Sequence, residues 1–228
     1  MSKDFEIVVE GEFPGDPEQM WDAITQNTAA WLFPTDDMPG VDLVSERPTH
    51  HVNRMEEPDG WFNQLEQVIE PRPGGHSFLR WVHSGVIQDD WDNQYDSASK
   101  HTLFYLHTLS EYLEHFAGRS AVYADVQGPE ASGGPEGFET LRSALGLTPT
   151  SAVGETVTVA LPGVPAGTAS VDWNAEHFIG LRTADGLYRF FGRNAFGAVV
   201  GLTVHRFGDI GSAGLPEDWK TWLDALYG

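Results

Sequence analysis

The chain has 228 residues, enough for one large domain or two small ones, each with its own core. Its 34 acidic residues against 13 basic ones give a formal charge of −21, a surface that repels phosphate backbones and anionic lipid and argues against nucleic acid and membrane as partners. There is no cysteine, so disulfides, thiolate nucleophiles and cysteine-held metal clusters are excluded, and any chemistry must draw on His, Asp, Glu, Tyr or Ser.

The N-terminus, MSKDFEIVVEGEF, has no charged-then-apolar leader layout, and no run approaches the about 20 apolar residues of a membrane span; a cytoplasmic protein is expected. Phe5, Ile7, Val9 and Phe13 alternate with Glu6, Glu10 and Glu12, the pattern of a half-buried strand. After PGDP, Met20, Trp21 and Ile24 recur at helical spacing, with Asp16 placed as N-cap and Pro17 at the first helical position. From Pro39 to Ile87 four strand-like runs, VDLVSE, HVNRMEE, WFNQLEQVIE and HSFLRWVHSGV, are separated by RPT, PDG and PRPGG, which predicts an antiparallel sheet. One face of the third run carries Trp61, Asn63, Leu65, Gln67 and Ile69, and one face of the fourth carries Leu79, Trp81 and His83.

His101–Phe116 reads as a helix whose Leu103, Leu106, Leu109, Leu113 and Phe116, with Tyr105 and Tyr112, cover half the circumference. That is wider than the stripe of about 100° on a helix resting on a core, and it suits a helix gripped by a curved sheet. Past Gly118 the order of elements begins again. SAVYADV leads through a Gly-rich loop into the short helix GFETLRSALGL, then come five strand-like runs, and PEDWKTWLDALYG closes the chain as an amphipathic helix. Asp185-Gly186 marks a tight hairpin within that series. The repetition predicts a degenerate internal duplication, with domains at 1–118 and 119–228 that either close separately or share one sheet.

Three segments resemble one family. FEIVVEGEFPGDPEQMWDAIT with the later Trp31 is similar to the start of SRPBCC proteins, and HSGVIQDDWDNQYDSASKHTLFYLHTLSEYLEHF resembles the end of the domain in bacterial homologues of the heat-shock-protein-90 ATPase activator. AGLPEDWKTWLDALY looks like the tail of two-part members. The resemblance implies an α+β helix-grip fold of the START and Bet v 1 kind: an antiparallel sheet wrapped round a long C-terminal helix, often enclosing an apolar ligand cavity. Where such proteins carry Gly-Trp near the start of the last helix, this chain has His101-Thr102, and its first half is one hairpin short of the usual strand count.

Under that fold the ligand cavity is expected between the helix residues Leu103, Tyr105 and Leu106, the aromatic rings of Trp21, Trp31, Trp61 and Trp81, and Leu65, with His51, Asn53 and His83 as polar groups joined by Gln67. His83 is the weak candidate for a general acid or base; a lone His on an apolar strand face is more often a hydrogen-bonded structural residue. His107, Glu111 and His115 stand at i, i+4 and i+8, but their ends are about 12 Å apart along the axis, too far to share an ion. His50 and His51 point to opposite faces of a strand. DDWDNQYD lacks the glycine and the closing glutamate of a calcium loop, with Tyr95 and His101 at those places. Neither GGPEG nor PRPGG has the lysine and spacing of a phosphate loop, and no G-x-S-x-G occurs. No metal and no cofactor is expected. The expected function is binding or carriage of a small hydrophobic molecule. The alternatives, both implied by the resemblance, are a co-chaperone-like module with a protein partner and a cyclase- or hydratase-type enzyme working in the same cavity. Phe104 bears on the former, because it projects away from the leucine stripe.

Overall fold

The computed structural model describes residues 2–36, 38–163, 167–208 and 214–228. The chain divides into two compact units, Met1–Arg119 and Ser120–Gly228.

In the first unit, β1 (Lys3–Pro14) is followed by α1 (Pro17–Thr25), a single 3₁₀ turn, and the strands β2 (Val41–Glu46), β3 (His50–Glu56), β4 (Phe62–Arg72) and β5 (His76–Ile87). The five form one antiparallel sheet in the order β1-β5-β4-β3-β2, so the first strand is brought beside the last. The helix α2 (Trp91–His115) then crosses β1 and β5 and packs against α1. This is the helix grip. Helix α1 starts at a capping box: Gln19 N–H donates to Asp16 Oδ1 at 2.9 Å and Asp16 N–H to Gln19 Oε1 at 3.0 Å, with Pro17 at the first position. Its Met20, Trp21 and Ile24 are buried on the concave side.

Helix α2 begins ten residues before the apolar pattern does. Asp90, in a left-handed conformation with φ 48°, turns the chain out of the sheet, and the residues from Trp91, ahead of the helix read from the sequence at His101, supply the first turns. Residues four apart hold these turns together: Trp91 stacks on Tyr95 with ring centroids 4.7 Å apart, and Lys100 pairs with Asp96 at 2.6 Å. Side chains that support each other along the helix surface leave no apolar stripe for periodicity to detect. Farther along, Thr102, Leu106, Leu109 and Leu113 face inward, as do Phe104, Thr108 and Tyr112.

The second unit repeats the order. Strand β6 (Ala121–Gln127) is followed by a 3₁₀ turn, α3 (Gly137–Ala144), β7 (Thr156–Val159), β8 (Gly167–Asn174), β9 (Phe178–Thr183), β10 (Gly186–Phe191), a 3₁₀ turn, β11 (Gly201–Phe207) and α4 (Leu215–Tyr227). Its sheet runs β6-β11-β10-β9-β8-β7, again with the first strand beside the last and with one strand more than the first sheet. All strands pair within their own unit. Trp219 and Leu223 of α4 are fully buried against Tyr188, Phe190, Leu202 and Val204 of the sheet in one continuous apolar cluster. Among the described residues no helix is long and apolar enough to cross a membrane.

Candidate functional site

The centre of the first unit is hollow. A cavity of about 680 Å³ lies between α2, α1, the segment after α1 and the concave face of β2 to β5. Strand register sets its wall in two rows across the sheet. One row runs from Asp42 through Asn53 and Leu65 to His83, and the next from Ser45 through His51 and Gln67 to Trp81. Aromatic and polar groups therefore stand side by side because each strand contributes alternate residues to the same face.

Ten of the twelve residues picked out from the sequence line this space: Trp21, Trp31, His51, Asn53, Leu65, Gln67, Trp81, His83, Tyr105 and Leu106. Two do not. Leu103 is 48% exposed, because it falls about 100° round the helix from Thr102, on the side of Ser110 and Glu114. Trp61 precedes β4 at the end of the β3–β4 hairpin, where its N–H donates to Asp59 Oδ1 at 3.0 Å, and the pleat carries it past the end of the cavity. Phe104, on the other flank of α2, is fully buried. His101 and Thr102 both line the cavity, ten residues inside the helix rather than near its start.

The aromatic side is built from interlocked rings. Trp31 Nε1 donates to the Ala23 carbonyl at 2.8 Å, fixing its indole edge-on to Trp81 with centroids 6.2 Å apart. Trp21 meets the His51 ring edge-on at 5.7 Å, and Phe33 meets Tyr105 at 6.4 Å.

The polar side is a connected network. His51 Nε2 donates to Asp42 Oδ1 at 3.0 Å, Asn53 Nδ2 donates to the same oxygen at 2.9 Å, and His51 Nδ1 lies 3.0 Å from Gln67 Oε1. The Asn53 hydrogen bond, with those and the charge interaction from His51, holds the Asp42 carboxyl below the usual range despite partial burial, so it is ionised at neutral pH. Asp42 faces the cavity because of a bulge: Asp42 pairs with Asn53 and Val44 with Val52, which leaves Leu43 as an extra residue turned outward and 56% exposed. Strict alternation would have hidden Asp42 from a sequence reading. A shift in strand phase before the RPT turn was the signal available.

His83 stands apart from that network. Its Nε2 donates to Asn63 Oδ1 at 2.6 Å, which fixes the tautomer, and its ring meets Phe5 edge-on at 4.9 Å. Burial lowers its pKa from 6.5 to about 4, so the imidazole is neutral at pH 7 and Nδ1 keeps its lone pair. On the outer face of α2, Glu111 and His115 approach to 3.7 Å, and among the described residues no group of three His, Cys, Asp or Glu is placed to hold a metal ion.

No family model matches the chain, and no curated protein does. Among solved structures it is similar to the Aha1 dimer from Colwellia psychrerythraea at 13% identity, over 48% of this chain and 96% of that one, with a TM-score of 0.38. It is similar to the di-domain ARO/CYC BexL from the BE-7585A biosynthetic pathway at 10% identity, over 90% and 85% of the two chains, with a TM-score of 0.40. A third is DynU16, a putative protein in the dynemicin biosynthetic locus, at 16% identity over 97% and 96%, with a TM-score of 0.33. At these identities and TM-scores the likeness carries no argument about ligand or reaction. The helix grip follows from the strand order and the position of α2.

Proposed function

We propose that the first unit, residues 1–118, binds a small, largely apolar molecule in the cavity beneath α2, and that residues 119–228 form a degenerate copy that has lost the site. One observation supports this above the others: a space of about 680 Å³, the size of a small-molecule pocket, is walled by interlocked tryptophans and a few oriented polar groups. Native mass spectrometry of protein purified from its own cells tests it. A bound species is expected on the wild type and absent from Ala98→Trp, which fills the cavity from α2. A bare wild-type mass, together with no uptake of apolar probes, would sink the reading.

A reaction in the same cavity is the second reading. It is favoured by His83, whose Nε2–H is held by Asn63 while Nδ1 has no hydrogen-bond partner among the described residues. Its neutral Nδ1 can accept a hydrogen bond or an acidic proton from a bound molecule, though as a weaker base than an ordinary imidazole. If His83→Ala still retains the ligand but no longer converts it, the reading stands; unchanged conversion would remove it. A protein-partner role rests on the sequence resemblance alone, and Phe104, the residue on which it turned, is buried.

A further inference from the structure

The charge of the cavity wall narrows the class of molecule. The described residues that line it include Asp36 and Asp42 and no Lys or Arg. An anionic head group, whether carboxylate, sulfonate or phosphate, would meet two carboxylates and no fixed cation. The donors nearest Asp42 are already used to hold it: His51 Nε2 and Asn53 Nδ2 both converge on Oδ1. Oδ2 has no hydrogen-bond partner among the described residues, and the side chain is 53% exposed at the cavity mouth. The open positions at Asp42 Oδ2 and at His83 Nδ1 are both acceptors, so a molecule that engages these two groups must bring the hydrogens.

Around these acceptors the wall is aromatic, with Trp21, Phe33, Trp81 and Tyr105 contributing ring surface. Ring faces attract an ammonium or a charged heterocycle, most strongly where water is excluded. The whole chain, at −21, also draws cations and repels anions on approach.

We propose that this cavity selects molecules that join an apolar, ring-sized body to a protonated amine, with the Asp42 carboxylate as the counter-ion. The proposal rests on the ligand-binding reading and adds to it a sign of charge and the residue that sets it.

Three probes that share one ring system separate the two: 2-naphthylmethylamine as the cation, 2-naphthylmethanol as the neutral analogue and 2-naphthoate as the anion, each titrated by calorimetry into the full chain. The amine is expected to bind about ten-fold or more tightly than the alcohol, equivalent to about 1.4 kcal/mol, with the naphthoate weakest. In Asp42→Asn the preference for the amine is expected to collapse, and in Asp42→Glu to return. Those two variants, checked for unchanged thermal melting, keep a folding defect from passing as a result. Naphthoate binding as tightly as the amine would overturn the proposal while leaving the cavity a binding site. So would a preference that survives Asp42→Asn but vanishes at about 1 M salt, where the screening length is about 3 Å, because the net charge of the chain and not the site would then be responsible. No binding by any of the three would overturn the ligand-binding reading and this proposal together.

Discussion

Each sheet carries an aspartate at a one-residue bulge, and the two units answer it differently. In β8, Val171 pairs with Leu181 and Trp173 with Gly180, so Asp172 is the extra residue; its carboxylate takes Arg189 Nη1 at 2.8 and 2.9 Å, and both side chains are buried. A Cβ at position 180 would lie 2.2 Å from Asp172 Oδ1 and 2.5 Å from Arg189 Nη1, so glycine there makes room for the pair. In β2 the bulge brings Asp42 to the cavity, where imidazole and amide donors meet it and no guanidinium does. The same contrast holds in the interior: Trp219 meets Tyr188 at 5.8 Å and Phe190 at 6.2 Å in a filled core, whereas α2 of the first unit stands over open space. An acid whose charge is met in full by a buried guanidinium offers nothing to an incoming molecule. An acid left with one oxygen unclaimed suits an interior built to receive something.

The largest test of that contrast is removal of each acid. Asp172→Ala leaves the Arg189 guanidinium buried without its carboxylate and is expected to cost about 3–5 kcal/mol in urea denaturation. Asp42→Ala, with its side chain 53% exposed, is expected to cost about 0–1 kcal/mol in the same assay. Equal losses would erase the distinction.

A smaller effect follows from His83. It loses its proton at about 4 in the folded chain and at 6.5 when unfolded, so between those values the unfolded chain binds more protons. Its share of stability is complete above about pH 6.5 and is lost as the pH falls toward about 4. His83→Gln lacks this component. The gap in melting temperature between wild type and variant should therefore narrow on acidification through that window; a constant gap would mean that burial does not govern the imidazole. Least affected should be Leu103→Ser, within about 0.5 kcal/mol in stability, because its side chain faces outward; a larger loss would put Leu103 back into the grip.

Strand faces were legible in the sequence because period-two alternation is strict along β1, β4 and β5: knowing that Leu65 faces inward fixes Asn63 and Gln67, and Trp81 fixes His83. Helix phase was less so. With apolar residues over half the turn of α2, Leu103 and Phe104 differ by only about 100°, and one-dimensional periodicity does not say which edge of so wide a face the sheet holds. The start of α2 was illegible for another reason, since Trp91, Tyr95, Asp96 and Lys100 stabilise it through neighbours on its own surface. Asp42 was missed because a bulge breaks the very alternation that located the others.

The extra residue at Leu43 also bears on how such a cavity changes over generations. Were Asp42 lost, Leu43 would stand directly before Val44 and opposite Asn53, with its side chain turned inward and no residue left over. Loss of one codon, with no amino acid exchanged, would convert an anionic mouth into a greasy one and leave the rest of the wall in register. On the proposed reading, a change of preferred ligand from basic to neutral is thus one deletion away, a shorter path than any series of substitutions through the tryptophan-lined wall.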